Sequence, residues 1–164
     1  MAQKNYINNR ELYTYMIKYL EERKHNQEAK IPKYIGESIL LICNNLFKKP
    51  NFSRYTYKED MISDAVCDCV AAINNFDPDR TNNPFAYFTQ IAWNAYVRRI
   101  FKEKRQTYIK HKNYENLYVV EDMWQSSQEM PITNEFSSEI IKSYEEHLTK
   151  NKLSASVKKR MRSK

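Results

Sequence analysis

The chain has 164 residues, a net charge of +7 and a hydrophobic fraction of 41%, values that suit one compact domain with extensions. Its single glycine, Gly36, argues against phosphate-cradling loops, nucleophile elbows and tight hairpin turns, because each of these depends on glycine. No run of residues approaches the ~18 apolar residues of a membrane span, and the amino-terminal residues lack an apolar secretory segment. We therefore expect an all-α protein with no membrane contact.

Charge is distributed along the chain in blocks of alternating sign. Residues 59–97 carry six acidic residues against one arginine, and residues 98–112 carry seven Lys or Arg against one glutamate. Residues 113–149 carry eight acidic residues against one lysine, and residues 150–164 carry seven Lys or Arg and no acid. Such blocks indicate separate contact surfaces, with a polyanion as partner for the basic ones and protein for the acidic ones.

Two helices are predicted near the amino terminus. Asn8 or Asn9 can cap a first helix that runs to about Lys24, since its apolar residues recur at helical spacing. A second helix is predicted from about Pro32 to Phe47, with proline at a favourable first-turn position. Its predicted apolar stripe consists of Ile35, Ile39, Ile42 and Leu46.

The third predicted helix, about Tyr57 to Asn75, has the clearest pattern in the sequence. It carries Asp60, Asp64 and Asp68 at i, i+4 and i+8, which places them in one line. Like charges at that spacing repel by a few tenths of a kcal/mol per pair, so the line favours a cationic partner. Alternatively, the helix dipole stabilises acidic residues near the helix start.

The fourth predicted helix is capped by Asn82 or Asn83, has Pro84 in its first turn and runs to about Arg105. Its apolar side comprises Phe85, Phe88, Ile91, Ala92 and Ala95. Its other aromatic residues cannot all share that stripe, and basic residues follow them. This combination suits melted DNA, because aromatic rings stack on unpaired bases and cations neutralise phosphates. These residues are Tyr87, Trp93 and Tyr96, followed by Arg98, Arg99, Lys102, Lys104 and Arg105.

Beyond residue 106 the pattern weakens. One further helix is predicted at about Asn134–Leu148. We expect a helical domain over residues 1–106, an acidic and partly helical extension over residues 107–149, and a basic, disordered tail over residues 150–164.

Catalytic and metal-binding interpretations find little support. Cys67 and Cys69 are two residues apart on a predicted helix, which turns their sulfurs to different sides, and no second Cys/His pair lies at zinc spacing. We expect Cys69 to belong to the core. The three histidines lie on polar segments without an adjacent nucleophile, and the aspartate line lacks the lysine of a nuclease site. We therefore predict no catalytic residue, no metal and no cofactor.

Several segments resemble conserved region 2 of bacterial sigma factors. They read EDMISDAV at residues 59–66, INNFDP at residues 73–78 and NPFAYFTQIAWNAYVRRIFKEKR at residues 83–105. The resemblance covers about residues 35–106 and extends upstream through NFSRYT at residues 51–56. It is strongest to the late-transcription sigma factors of T4-like bacteriophages.

The resemblance implies two contact surfaces. The polymerase-binding residues would be Glu59, Asp60 and Asp64, with Asp68 continuing their face one turn on, and their partner would be the clamp helices of the largest subunit of bacterial core RNA polymerase. The DNA-binding residues would include the basic helix end at Arg98, Arg99, Lys102, Lys104 and Arg105.

Phe88, Ile91 and Ala92 match the positions at which housekeeping sigma factors place aromatics that open the −10 promoter element. Because two of these are aliphatic here, we expect Tyr87, Trp93 or Tyr96 to take part instead, alongside Phe88.

Two departures from the family limit what the resemblance implies. No second helix-turn-helix block follows, so we expect no reading of a −35 element. The phage late factors end in an acidic, apolar peptide that grips the sliding clamp, whereas this chain ends in SVKKRMRSK. Clamp coupling is therefore not implied, and a separate phage co-activator or sliding clamp stays open as a further partner.

We predict a non-enzymatic, minimal sigma factor that directs host RNA polymerase to viral late promoters with a TATA-like −10 element, in the cytoplasm of the infected bacterium. The alternatives are a stand-alone DNA-binding repressor and an adaptor that binds polymerase without touching DNA. A nuclease is a more distant alternative.

Overall fold

The computed structural model describes the backbone of residues 6–124 and 135–162, and the side chains of residues 6–117 and 135–151. The described residues form helices and contain no strand, so the predicted all-α fold is confirmed. In chain order the elements are α1 (Asn9–His25), α2 (Lys33–Phe47), α3 (Lys58–Ala72), a 3-10 turn (Ile73–Asn75), α4 (Pro84–Trp124) and α5 (Glu135–Arg162). The chain divides into two compact units, Met1–Arg99 and Ile100–Lys164.

The first unit begins with the helix start that the sequence predicts. The side chain of Asn8 accepts hydrogen bonds from the backbone N–H groups of Arg10 and Glu11, at 3.1 and 3.5 Å, and so satisfies two donors that have no partner within the helix. The face that α1 buries carries Leu12, Met16 and Tyr19. In α2 the predicted stripe is buried in full, together with Cys43 and Phe47.

The acidic line of α3 lies beside the buried stripe of that helix. Met61, Ala65 and Cys69 are fully buried, and each follows one of the three aspartates directly in sequence. An α-helix turns through about 100° per residue, so the aspartates stand at the edge of the buried face. This position brings their carboxylates close to whatever packs on that side of α3.

Tyr96 anchors α4 in the core of the first unit. Its hydroxyl donates a hydrogen bond to the backbone carbonyl of Cys43 in α2 at 2.7 Å, and its side chain is fully buried. The rings of Phe47 and Phe52 meet it edge-on, at centroid distances of 6.3 and 5.0 Å. Burial raises the pKa of Tyr96, so the hydroxyl stays protonated and keeps donating at neutral pH.

Two of the predicted DNA contacts must therefore be corrected. Phe88 and Tyr96 each have 0% exposure, so neither ring can stack on a base while the unit is folded as described. The prediction failed because α4 is covered on two sides, by α2 with the loop residue Phe52 and by Cys69 of α3, whose thiol donates to the carbonyl of Phe88 at 3.6 Å. This double cover buries Tyr96 although it lies off the predicted apolar stripe. Phe88 belongs to that stripe, and only the resemblance placed it at the DNA.

The second unit contains the end of α4 and all of α5. Tyr108 stacks on Tyr144 with ring centroids 4.6 Å apart and donates a hydrogen bond to Glu145 at 3.0 Å. His111 contacts the hydroxyl of the buried Ser137 at 2.9 Å. Tyr108 meets Tyr144, whereas His111, later in α4, meets Ser137, earlier in α5. The two helices therefore run antiparallel.

The segment boundaries differ from those expected. The first unit ends at Arg99 instead of residue 106, and α4 continues past Arg105 to Trp124. The helix expected at about Asn134–Leu148 is present as α5, but it continues to Arg162 and so includes most of the segment 150–164, for which composition indicated disorder. Lys, Arg, Met and Ala are good helix formers, so a segment too polar for a core of its own can still be helical.

No helix in the described part of the chain has the length and apolar character to cross a membrane.

The Tyr96 hydroxyl offers a direct test of this packing. Tyr96→Phe keeps the ring and removes only the hydrogen bond to Cys43, so we expect the free energy of unfolding to fall by about 1 kcal/mol. Denaturant unfolding followed by circular dichroism measures this change. Tyr15→Phe, at a ring that is 38% exposed, is the matched control and should change stability by less than about 0.5 kcal/mol. Equal effects of the two substitutions would contradict the anchoring role.

Candidate functional site

The acidic row, defined here as Asp60, Asp64 and Asp68, faces solvent to a degree that falls along α3. The exposed fractions of the three side chains are 61%, 43% and 35%. Glu59, next to the row at the helix start, is also exposed. The amino-terminal end of α3 therefore offers carboxylates that a partner protein can reach.

Arg99 of α4 bridges two members of the acidic row. Its Nη2 atom lies 3.0 Å from Oδ1 of Asp60, and its Nε atom lies 3.2 Å from Oδ2 of Asp64. The Arg99 side chain is only 12% exposed, so the guanidinium is held between the helices while both carboxylates still reach water. An arginine with its charge distributed over a planar group is suited to such a two-sided contact.

Arg98 pairs with the third member of the row, Asp68. Its side chain is 65% exposed, far more than that of Arg99. Three carboxylates and two guanidinium groups thus form two ion-paired sets, Asp60–Arg99–Asp64 and Arg98–Asp68, which together make up the charge network and carry a net charge of −1. Like charges at this spacing favour a cationic partner, and Arg98 and Arg99 of the same chain supply one.

The predicted DNA-binding residues fall into three environments. Tyr87, Trp93 and Arg99 are partly buried. The Tyr87 hydroxyl donates to the Ala72 carbonyl at 2.9 Å, Trp93 meets Phe52 edge-on at 4.8 Å between ring centroids, and Arg99 is engaged by the acidic row. Phe88 and Tyr96 are in the core. The exposed cations are Arg98 in the first unit and Lys102, Lys104 and Arg105 in the second.

Sequence reasoning missed the pairing of the acidic row with the two arginines. The opposite charges of residues 59–97 and 98–112 were visible as blocks, but they were interpreted as surfaces for two different partners. The residues that pair are 30 or more positions apart, and no spacing rule within one helix reaches that far. The signal was the position of each aspartate directly before a core residue, which places it at a helix–helix boundary.

The cysteines behave as the spacing predicts. Cys67 is exposed and Cys69 is buried, so the two sulfurs do face different sides of α3. A hydrogen bond with Cys43 and burial raise the pKa of the Cys69 thiol, which therefore stays protonated. Among the described residues, no three His, Cys, Asp or Glu side chains are placed to hold a metal ion.

Comparison with known proteins does not assign the chain to a family. No model of a known protein family matches the chain, and a search of curated proteins finds no significant match.

The two arginines should differ in what they contribute to stability. Arg99→Met leaves Asp60 and Asp64 facing each other without their shared cation, so we expect a loss of about 1–3 kcal/mol, between the values for an exposed pair and a buried one. Arg98→Met removes a more exposed pair and should cost less than about 1 kcal/mol. Denaturant unfolding of the two variants in parallel checks this order. A larger loss for Arg98→Met would contradict the bridging role of Arg99.

Proposed function

We propose that this chain is a minimal sigma factor, which docks on bacterial core RNA polymerase through the acidic end of α3 and contacts promoter DNA through α4. The observation that carries the proposal is the exposed acidic row on α3, whose buried neighbours hold the helix against α2 and α4. The residues in these positions are also those that resemble sigma region 2. The carboxylates are thus presented on a rigid helix, as a docking surface requires.

Arg99 lies behind the docking surface, but the carboxylates at its outer side remain accessible to a partner. Asp60 remains 61% exposed while bridged, and Glu59 adds a second exposed carboxylate in the first turn of α3. The free N–H groups of that turn favour acidic side chains there. A partner with Lys or Arg on its surface, such as a polymerase subunit, would therefore meet two accessible carboxylates at the helix start.

Fewer residues are available to contact DNA than the sequence predicted. With Phe88 and Tyr96 in the core, Trp93 and Tyr87 are the remaining candidates for stacking on a melted base. Trp93 is the stronger one, because its only described ring contact is the edge-on packing against Phe52, whereas the hydroxyl of Tyr87 is committed to Ala72. The exposed cations supply contacts with phosphate.

A polymerase-binding adaptor without DNA contact is the second candidate. The observation in its favour is that Arg98 and Arg99 are both engaged by the acidic row, which gives them a role that needs no DNA. Run-off transcription by core polymerase from templates with an intact or a scrambled TATA-like −10 element separates the two. A sigma factor raises transcription only from the intact template, whereas an adaptor does not select between the templates.

Docking is tested by reversing charge where the helix start is most exposed. Glu59→Lys with Asp60→Lys should abolish co-migration with core polymerase on gel filtration, because attraction becomes repulsion at two neighbouring sites. Asp64 still holds Arg99 in this variant, so the fold should persist, and circular dichroism checks that it does. Glu21→Lys with Glu22→Lys changes the charge equally at two exposed positions of α1 and should leave co-migration unchanged. Unchanged co-migration of the α3 variant would refute this docking surface.

Promoter opening is tested at Trp93. Trp93→Ala should lose opening of duplex promoter DNA and recover part of it on a template with a pre-melted bubble, because stacking on an unpaired base is worth about 1–3 kcal/mol. Permanganate reactivity of unpaired thymines measures opening directly. Trp93→Phe keeps an aromatic face and should retain most of the activity. If Trp93→Ala opens duplex DNA normally but unfolds at lower temperature, the ring serves the core alone.

A further inference from the structure

The second unit has little core of its own. Among its described side chains, those of residues 100–117 and 135–151, only Ser137 and Ile141 are buried. Large apolar side chains lie at its surface instead, and the most exposed of these are Leu117 and Phe136, each at 64%. Two helices that bury so little against each other are only marginally stable in water. The pair therefore needs further cover for its apolar side chains.

A groove of about 390 Å³ opens on one side of this helix pair, where α4 lies opposite the start of α5. It is lined by Lys110, His111, Asn113, Tyr114, Leu117 and Ser137. Phe136 stands at the edge of the groove, since its ring meets that of His111 edge-on at 6.0 Å between centroids while most of its surface stays exposed. A groove of this size can hold an aromatic side chain.

A two-fold axis parallel to the helices would place the ring of one copy in the groove of another. Such a rotation keeps each residue at its height along the axis and sets α4 of one copy against α5 of the other, in antiparallel directions, as in a four-helix bundle. His111 and Phe136 lie at the same height within one chain. Phe136 of the second copy therefore reaches α4 at the height of the groove, and the symmetry forms this contact twice.

The charges of the helix pair suit the same arrangement. Residues 100–117 of α4 carry five Lys or Arg and two glutamates, a net charge of +3. Residues 135–151 of α5 carry four glutamates and two lysines, a net charge of −2. A second copy in this orientation meets the basic helix with an acidic one, whereas α4 packed on α4 would bring like charges together. Charge thus favours a second copy of this chain as the occupant of the groove.

We propose that the second unit is a homodimerisation surface, in which Phe136 of each copy inserts beside Tyr114 and Leu117 of the other and the two helix pairs form a four-helix bundle. An aromatic side chain that fills a pocket is the kind of contact that dominates the affinity of protein interfaces. The surrounding charges select the orientation. This inference concerns the isolated chain and does not depend on the proposed function.

Sedimentation velocity of the full chain over a concentration series measures dimerisation, without polymerase or DNA. We expect a dissociation constant on the order of micromolar, the weak end of the range for specific interfaces. Phe136→Ala should weaken dimerisation at least about tenfold, because each dimer loses two anchors. Leu40→Ala removes an apolar side chain that is 46% exposed on α2, and as the matched control it should leave the dissociation constant unchanged. A full chain that stays monomeric up to about 100 µM overturns the inference in favour of a different protein as the occupant of the groove.

A charge exchange tests the orientation and does not depend on whether Phe136→Ala folds. Lys110 and Glu139 are both exposed and lie at about the same height of the pair, between the Tyr108–Tyr144 contact and the start of α5. In the proposed dimer Lys110 of each copy therefore faces Glu139 of the other. Lys110→Glu or Glu139→Lys, made alone, places like charges together at both of these contacts. Either variant should weaken dimerisation about three- to tenfold.

An equimolar mixture of these two variants shows whether the contact is made between chains. In a mixed dimer one contact joins the two unchanged residues and the other joins the two reversed ones, so both contacts again pair opposite charges. We expect the mixture to dimerise about as tightly as the unmodified chain, and circular dichroism checks that each variant is folded. An effect within one chain would not recover on mixing. A mixture that associates no more tightly than the separate variants overturns the inference, as does a folded Phe136→Ala variant that dimerises normally.

Discussion

The placement of Tyr96 is the constraint on which the first unit depends. A phenol with no access to water must have a partner for its hydroxyl, and the carbonyl of Cys43 supplies one at 2.7 Å. That bond, with the ring contacts to Phe47 and Phe52, constrains the distance of α4 from α2 and the rotation of α4 about its own axis. With α4 in this rotation, Arg99 lies between α3 and α4, and Arg98 lies at the edge. The charge network is thus a consequence of the core.

The acidic row has two roles, one in stability and one in binding. It contributes to holding α3 against α4, because Arg99 loses most of its water and must be compensated by carboxylates. In the proposed function it also offers charge to a partner, because the same carboxylates keep their outer sides exposed. A substitution in such a surface can change stability as well as binding. Substitutions in the row must therefore be assessed for stability and for binding together.

The sequence predicted the helices of this protein better than the surfaces. Caps such as Asn8, the proline before α2 and the apolar stripes act over a few residues, so local patterns reveal them. The burial of Tyr96, which lies off the predicted apolar stripe, depends on what covers α4 from two sides. The contact of Arg98 with Asp68 joins residues that are 30 positions apart. Such facts belong to tertiary packing, which spacing within one helix does not encode. The exposure of Lys102, Lys104 and Arg105 was predictable, because charged side chains seldom lose contact with water.

The side chain of Asn9 has a consequence for how the chain folds. Its carbonyl oxygen accepts a hydrogen bond from the N–H group of Phe85 at 3.2 Å, and its amide lies 3.5 Å from the carbonyl oxygen of Asn82. One residue at the start of α1 thus also satisfies the start of α4, across 76 positions. Closing so long a loop lowers chain entropy before the contact forms, which slows folding compared with contacts made within one helix. During synthesis α1 is made before α4, and this contact cannot form until Phe85 has emerged from the ribosome.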